Sequence, residues 1–213
     1  KIVAGFDLFR PMARSPGTLG VLLQVALRVL PLPEIEETLI HEERDESTAL
    51  RKMNRWPIET QAISACSWDG EYIRVRLSGS VAGTAHARAH IGGERIDGKD
   101  YWRDLTNFQL GFFQGSGRLW RVNVAPMSEN LRVNAGQLID WGGAQRWLKT
   151  DEPPTDLRTR AVQLGGFADC FSADSDVATF HPLDGTLLTA NKQLKAALDP
   201  AGILNPGRLY PEL

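Results

Sequence analysis

The stretch Ala62-Ile63-Ser64-Ala65-Cys66-Ser67-Trp68-Asp69-Gly70-Glu71-Tyr72-Ile73-Arg74-Val75-Arg76-Leu77 decides the fold. Two runs, Ala62 to Trp68 and Glu71 to Leu77, meet at Asp69-Gly70, a dipeptide suited to the positive φ angles of a tight hairpin turn. In the second run Tyr72, Arg74 and Arg76 alternate with Ile73, Val75 and Leu77. One face of that strand is therefore polar and the other buried. The pattern predicts an antiparallel hairpin lying over a core.

Working outward, Ile35, Leu39 and Ile40 mark an acidic, partly alternating strand. Ser47 to Trp56 follows as a helix, with Ala49, Leu50 and Met53 as its buried stripe. Beyond the hairpin, Ser80 to Ile91 reads as a helix stopped by Gly92-Gly93, and Lys99 to Leu110 as another. Leu119 to Val124 alternates as a strand. Gln137 to Asp140 and Ala144 to Leu148 are short strands around the turn Trp141-Gly142-Gly143. A helix capped by Thr155 or Asp156 runs to Leu164, Phe167 to Phe171 is a short strand, and Leu187 to Leu198 is an amphipathic helix ended by Asp199-Pro200-Ala201-Gly202. The order strand, helix, strand, strand, helix predicts an α+β fold. Its antiparallel sheet carries helices on one face, as in a ferredoxin-like split βαβ unit.

The N-terminal stretch has a different texture. Phe6, Phe9 and Ala13 are spaced for a short helix over Phe6 to Arg14, broken at Ser15-Pro16-Gly17. Gly20 to Leu30 is almost continuously apolar and reads as a strand buried on both faces, with Pro31-Leu32-Pro33 as a hard stop. Two domains are expected, residues 1–30 and 34–213. The chain enters at Lys1, without Met and without a signal-like segment, in the manner of a piece of a longer protein.

Composition removes several function classes. The 213 residues carry 24 Lys+Arg against 26 Asp+Glu, a net charge of -2, which opposes general nucleic-acid binding. No apolar run approaches the ~18–20 residues of a membrane span, and Gly20 to Leu30 is interrupted by Gln24 and Arg28. Two cysteines, Cys66 and Cys170, make neither a disulfide scaffold nor a C-x-x-C metal pair, and read as reduced thiols of a cytoplasmic protein.

Several constellations invite chemistry. His86 and His90 stand one helical turn apart, a candidate zinc pair without the Glu of a hydrolase signature or a third ligand nearby; the plain reading is two solvated imidazoles. Cys170 and His181 lack a recognisable nucleophile turn. The six tryptophans (Trp56, Trp68, Trp102, Trp120, Trp141, Trp147) fit core and interface packing better than base stacking at this charge. Gly17-Thr18-Leu19-Gly20-Val21 is more informative, because glycines before a strand let backbone approach a ligand. The ending Asp199-Pro-Ala-Gly-Ile-Leu-Asn-Pro-Gly-Arg208 follows a helix with a rigid turn that offers an amide, Asn205, and a fixed cation, Arg208.

Val3-Ala-Gly-Phe-Asp-Leu8, Gly17-Thr-Leu-Gly-Val21 and Leu198-Asp-Pro-Ala-Gly-Ile-Leu-Asn-Pro-Gly-Arg208 together resemble the FAD-linked oxidases of the vanillyl-alcohol-oxidase type. Gln137-Leu-Ile-Asp-Trp-Gly-Gly-Ala-Gln-Arg-Trp-Leu-Lys149 and the final Asn-Pro-Gly-Arg-Leu-Tyr-Pro-Glu-Leu are similar to one branch, the E-type FAD-binding subunits of bacterial glycolate oxidases. The resemblance implies that residues 1–30 end an FAD-binding domain and that residues 34–213 form the cap domain over the flavin. It implies FAD contacts for Gly5, Gly17, Thr18, Gly20, Val21, Asn205 and Arg208; no metal-ligating residue is assigned. The family's pyrophosphate-binding glycine loop lies upstream, so the resemblance implies FAD in a longer parent and an inactive, flavin-free isolated piece.

The implied activity is oxidation of glycolate, a small 2-hydroxy acid, to glyoxylate. The implied partners are a catalytic flavoprotein subunit and an iron–sulfur subunit, in a complex that is cytoplasmic or peripheral to the inner membrane. The His-x6-His pair of the family's catalytic members is missing around Phe167 to Asp174, so no catalytic residue is assigned. The competing reading is an interaction module of the same complex that binds no flavin. The apolar run Gly20 to Leu30 would pair with another strand, in a homodimer of the piece if nothing else supplies one.

Overall fold

Two seven-residue runs, Ala62 to Trp68 and Glu71 to Leu77, are too few to hold a sheet together alone; the hairpin becomes stable by recruiting neighbours on both sides. The structure, a computed structural model, describes residues 8–172 and 176–213. It divides into two compact units, one of Pro31–His181 and one joining the residues up to Leu30 with Pro182–Leu213.

The larger unit contains β1 (Ile35–Glu42), α2 (Glu46–Glu59), β2 (Ile63–Trp68), β3 (Tyr72–Gly79), α3 (Val81–Ile91), β4 (Glu94–Ile96), α4 (Lys99–Thr106), β5 (Leu119–Asn123), β6 (Gln137–Asp140), β7 (Gln145–Lys149), α5 (Pro154–Gln163) and β8 (Phe167–Cys170). A short helix, α1 (Phe9–Ala13), and α6 (Gly185–Leu198) belong to the other unit. The strands form one sheet in the order β4-β1-β3-β2-β6-β7-β5-β8, with every pairing antiparallel. The β2–β3 turn forms as predicted: Gly70 has φ +99, and Asp69 Oδ1 accepts the N–H groups of Glu71 and Tyr72.

Alternation assigns the two faces. Leu39, Val75 and Cys66 lie in register across β1, β3 and β2 and pack with Ala49, Leu50, Met53 and Trp56 of α2 and Ala87 and Ile91 of α3. A second cluster places Trp120, Val122, Leu148 and Ala168 under Leu157 and Ala161 of α5. Each fully buried apolar side chain contributes about 1.5–3 kcal/mol. The two clusters lie on the same face, linked through the β2–β6 pairing of Ser67 with Asp140 and Trp68 with Ile139. The α+β architecture with an antiparallel sheet is thus as expected.

One helix, α4, covers the other face. There Trp102 Nε1 donates to Thr38 Oγ1 at 2.9 Å, and the guanidinium of Arg74 lies 4.4 Å from the Tyr101 ring centre. The arginines that made this face look solvated instead stack on aromatic rings, which bury a cation's planar side without removing its charge from hydrogen-bonding partners.

Two expectations need correction. Gly20 to Leu30 is not a strand: it lies in no regular element, and Val21, Leu23, Val25, Leu27 and Val29 are 63–93% exposed. An apolar alternating run can become a strand only where neighbours supply ladder partners and cover, and the described residues supply neither. The helix from Lys99 stops at Thr106, and Phe108 takes a left-handed φ of +58. The helix read from Phe6 is described only from Phe9 onward, and β4 was too short to signal itself.

Candidate functional site

The smaller unit is where the glycine segment and the C-terminal turn meet. After α1 the chain reverses on itself: Ser15 Oγ donates to Met12 O at 2.9 Å, and Thr18 donates to Ser15 O from both N (2.8 Å) and Oγ1 (2.6 Å). Asp184 caps α6 by accepting the Leu187 N–H at 2.8 Å. At the far end Asp199 accepts the N–H groups of Ile203 (3.2 Å) and Leu204 (2.9 Å), which fixes the path into Asn205-Pro206-Gly207. Asn205 Nδ2 then donates to Pro16 O at 2.9 Å, joining segments 189 positions apart in sequence.

The contact explains the first glycine. Gly17 sits at φ +76, and a Cβ there would lie 2.9 Å from Asn205 Nδ2, so any side chain displaces the amide. A Cβ on Gly20 would come within 3.2 Å of the Met12 methyl. Between these segments is a cavity of about 480 Å³ lined by Met12, Ser15, Gly17, Gly20, Val21, Leu22, Leu204 and Asn205, among others. That is the size of a small-molecule or cofactor site, mostly apolar with a few placed polar groups.

Four of the residues singled out from sequence, Gly17, Gly20, Val21 and Asn205, therefore converge on one cavity. Thr18 is buried beside them, its carbonyl bound by Lys195 Nζ at 2.8 Å. Arg208 is exposed and does not line the cavity; its N–H donates to Asn205 O at 3.2 Å. Gly5 lies outside the described residues. Met12, Leu22 and Leu204 had no chemical signature in the sequence. Lys195 and Asp199 did have one, an i,i+4 cation and carboxylate at a helix end.

Other candidates resolve as structure. His86 and His90 stack with ring centres 6.4 Å apart, His90 Nε2 lies 3.0 Å from Glu59 Oε2, and no group of three metal-binding side chains exists among the described residues. Burial pushes the Cys66 thiol up to about 12, far from reactive thiolate. Cys170 is buried, and His181 Nδ1 accepts the Ala168 N–H. Five tryptophans are buried, whereas Trp141 is exposed. A second hollow beside β5 and β7, about 750 Å³, is lined by Arg118 and Lys149 among others. Both cations there are engaged with protein carbonyls, Lys149 Nζ with Phe113 O and Gly115 O and Arg118 with Asp151 O. No helix among the described residues is long and apolar enough to cross a membrane.

Comparison with known proteins adds that residues 181–209 match the family model for FAD linked oxidases, C-terminal domain. The fold is shared with alkyldihydroxyacetonephosphate synthase (TM-score 0.60, 12% identity, 97% of this chain and 50% of that one). More particularly, the chain is 38% identical over all 213 residues to glycolate oxidase subunit GlcE of Escherichia coli (strain K12). It spans 60% of that relative's length.

Proposed function

We propose that this chain is part of an FAD-binding subunit of a 2-hydroxy-acid oxidase complex that converts glycolate to glyoxylate. The single observation that carries the cofactor assignment is the convergence of Gly17, Gly20, Val21 and Asn205 on one cavity. The 38% identity to a glycolate oxidase subunit supports the substrate class. In this reading the residues up to Leu30 close an FAD-binding domain, and the sheet unit serves as the cap.

The donor set fits a flavin. Gly17 and Gly20 leave room for the Asn205 amide and the Met12 methyl, and that close packing shapes the cavity wall. Met12, Val21, Leu22 and Leu204 give that ring an apolar wall, and Asn205, tethered to Pro16 O, presents an amide in a fixed orientation. Arg208, three residues on and exposed, does not line the cavity, and the resemblance alone assigns it to an anionic group of the cofactor. When bound, FAD supplies the two-electron acceptor. The chain's own residues bind, orient and exclude water. Substrate oxidation falls to a partner flavoprotein subunit, and an iron–sulfur subunit relays electrons.

Absorbance tests the proposal. A longer protein containing this sequence is expected to show a visible flavin band, and the 213-residue chain alone to be colourless and inactive, because backbone amides that cradle the pyrophosphate are expected outside it. A longer protein that stays colourless after incubation with FAD would favour the interaction-module reading. Co-purification with a flavoprotein subunit and an iron–sulfur subunit checks the partners.

A further inference from the structure

α6 has no fully buried residue, although Leu188, Leu194 and Leu198 are half-buried, and one ammonium group ties it to the glycine segment. Lys195 Nζ donates to Thr18 O (2.8 Å), to Leu204 O (2.6 Å) and to Asp199 Oδ2 (2.6 Å). These are all three protons that an ammonium owns. Its side chain is 11% exposed and that of Asp199 is 3% exposed. Asp199 in turn receives the Ile203 and Leu204 N–H groups. The first-named carbonyl lies between Gly17 and Gly20, and the second belongs to the residue before Asn205. The ammonium thus spans the two walls of the cavity from behind.

We propose that Lys195 and Asp199 are a positioning pair: they set the distance between the Gly17–Val21 segment and the Leu204–Asn205 turn, and thereby the width of the cofactor cavity. This rests on the assignment of that cavity to FAD. The pair touches no ligand itself, because every donor of Lys195 is already spent. A merely structural role would show in stability alone. A positioning role shows in how the flavin is held.

The test uses the full-length protein. Lys195→Met alone leaves the Asp199 carboxylate buried without its cation, which threatens folding. The double variant Lys195→Met, Asp199→Asn removes both charges, and the new amide oxygen still accepts a backbone N–H. FAD titration is followed by flavin fluorescence and by the visible circular dichroism of the bound flavin, alongside thermal unfolding without FAD. The double variant is expected to bind FAD about tenfold more weakly, the scale of a lost preorganisation. Its bound-flavin dichroism is expected to change, and its unfolding midpoint to stay close to that of the unmodified protein. Unchanged affinity and dichroism in a folded double variant would overturn the proposal. Failure of the unmodified protein to bind FAD would overturn the cofactor assignment beneath it and the proposal together.

Discussion

Asp140, at the end of β6, shows how one residue records its surroundings. Burial raises its carboxyl to about 6, against a hydrogen bond from Gln145 Nε2 at 3.1 Å that favours the ionised form. The folded protein therefore keeps a proton that the unfolded chain releases near pH 3.9. The stabilisation is complete below that pH and lost as pH rises through about 6, a change of roughly 3 kcal/mol. Asp140→Asn keeps the shape and the Gln145 bond but cannot ionise. Urea unfolding is expected to show the variant more stable at neutral pH by about 1–3 kcal/mol, with no fall in stability across the acidic window. A parallel pH slope in both proteins would place the penalty elsewhere. In the sequence Asp140 was visible only as the last residue of a short strand, because nothing in residue order reports desolvation.

At the scale of elements, Arg146 of β7 is the joint between α2 and the loops around the sheet. It is fully buried. Its Nη1 donates to Glu46 Oε1 at 2.9 Å and to Glu129 O at 3.1 Å, its Nη2 to Ser128 O at 2.8 Å, and its Nε to Gly143 O at 3.3 Å. Burial holds its pKa below the usual guanidinium range, and the Glu46 carboxylate opposes that shift. Arg146→Met removes the cation while keeping much of the volume. It leaves Glu46 and three carbonyls short of partners, so a loss of about 3–5 kcal/mol in denaturant unfolding is expected. A loss near zero would mean that water replaces the guanidinium. The same scale explains which elements were legible. The hairpin, α2, α3 and the strand pairs announced themselves through period and turn chemistry, whereas β4 has three residues and no period to read.

For the molecule as a whole, the apolar run from Val21 to Leu30 asks for a partner. Five alternating side chains of that run stand 63–93% exposed, more apolar surface than a solitary chain ordinarily presents. The 213-residue chain alone is expected to self-associate through this run, and sedimentation should show dimers or larger species that Val25→Lys with Leu27→Lys returns to monomer. A monomeric unmodified chain would sink that expectation.

Local order in this protein follows from residue order. Alternation around Asp69-Gly70, glycine stops and the turn at Asn205-Pro206-Gly207 each act within a few residues, so sequence alone determined the α+β class and the place of most elements; the cap read at Thr155 or Asp156 is not made, because α5 starts at Pro154 with no side-chain cap. The family resemblance carried the glycine segment and the terminal turn, far apart in the chain, into one expectation. Only the tertiary structure packed Gly17 so closely against the Asn205 amide that a Cβ would clash, spent every proton of Lys195, laid α4 over the arginine face and left Gly20 to Leu30 unpaired. Those outcomes depend on which distant groups share a space and exclude water from it, and pairing across distance is what a linear pattern does not encode.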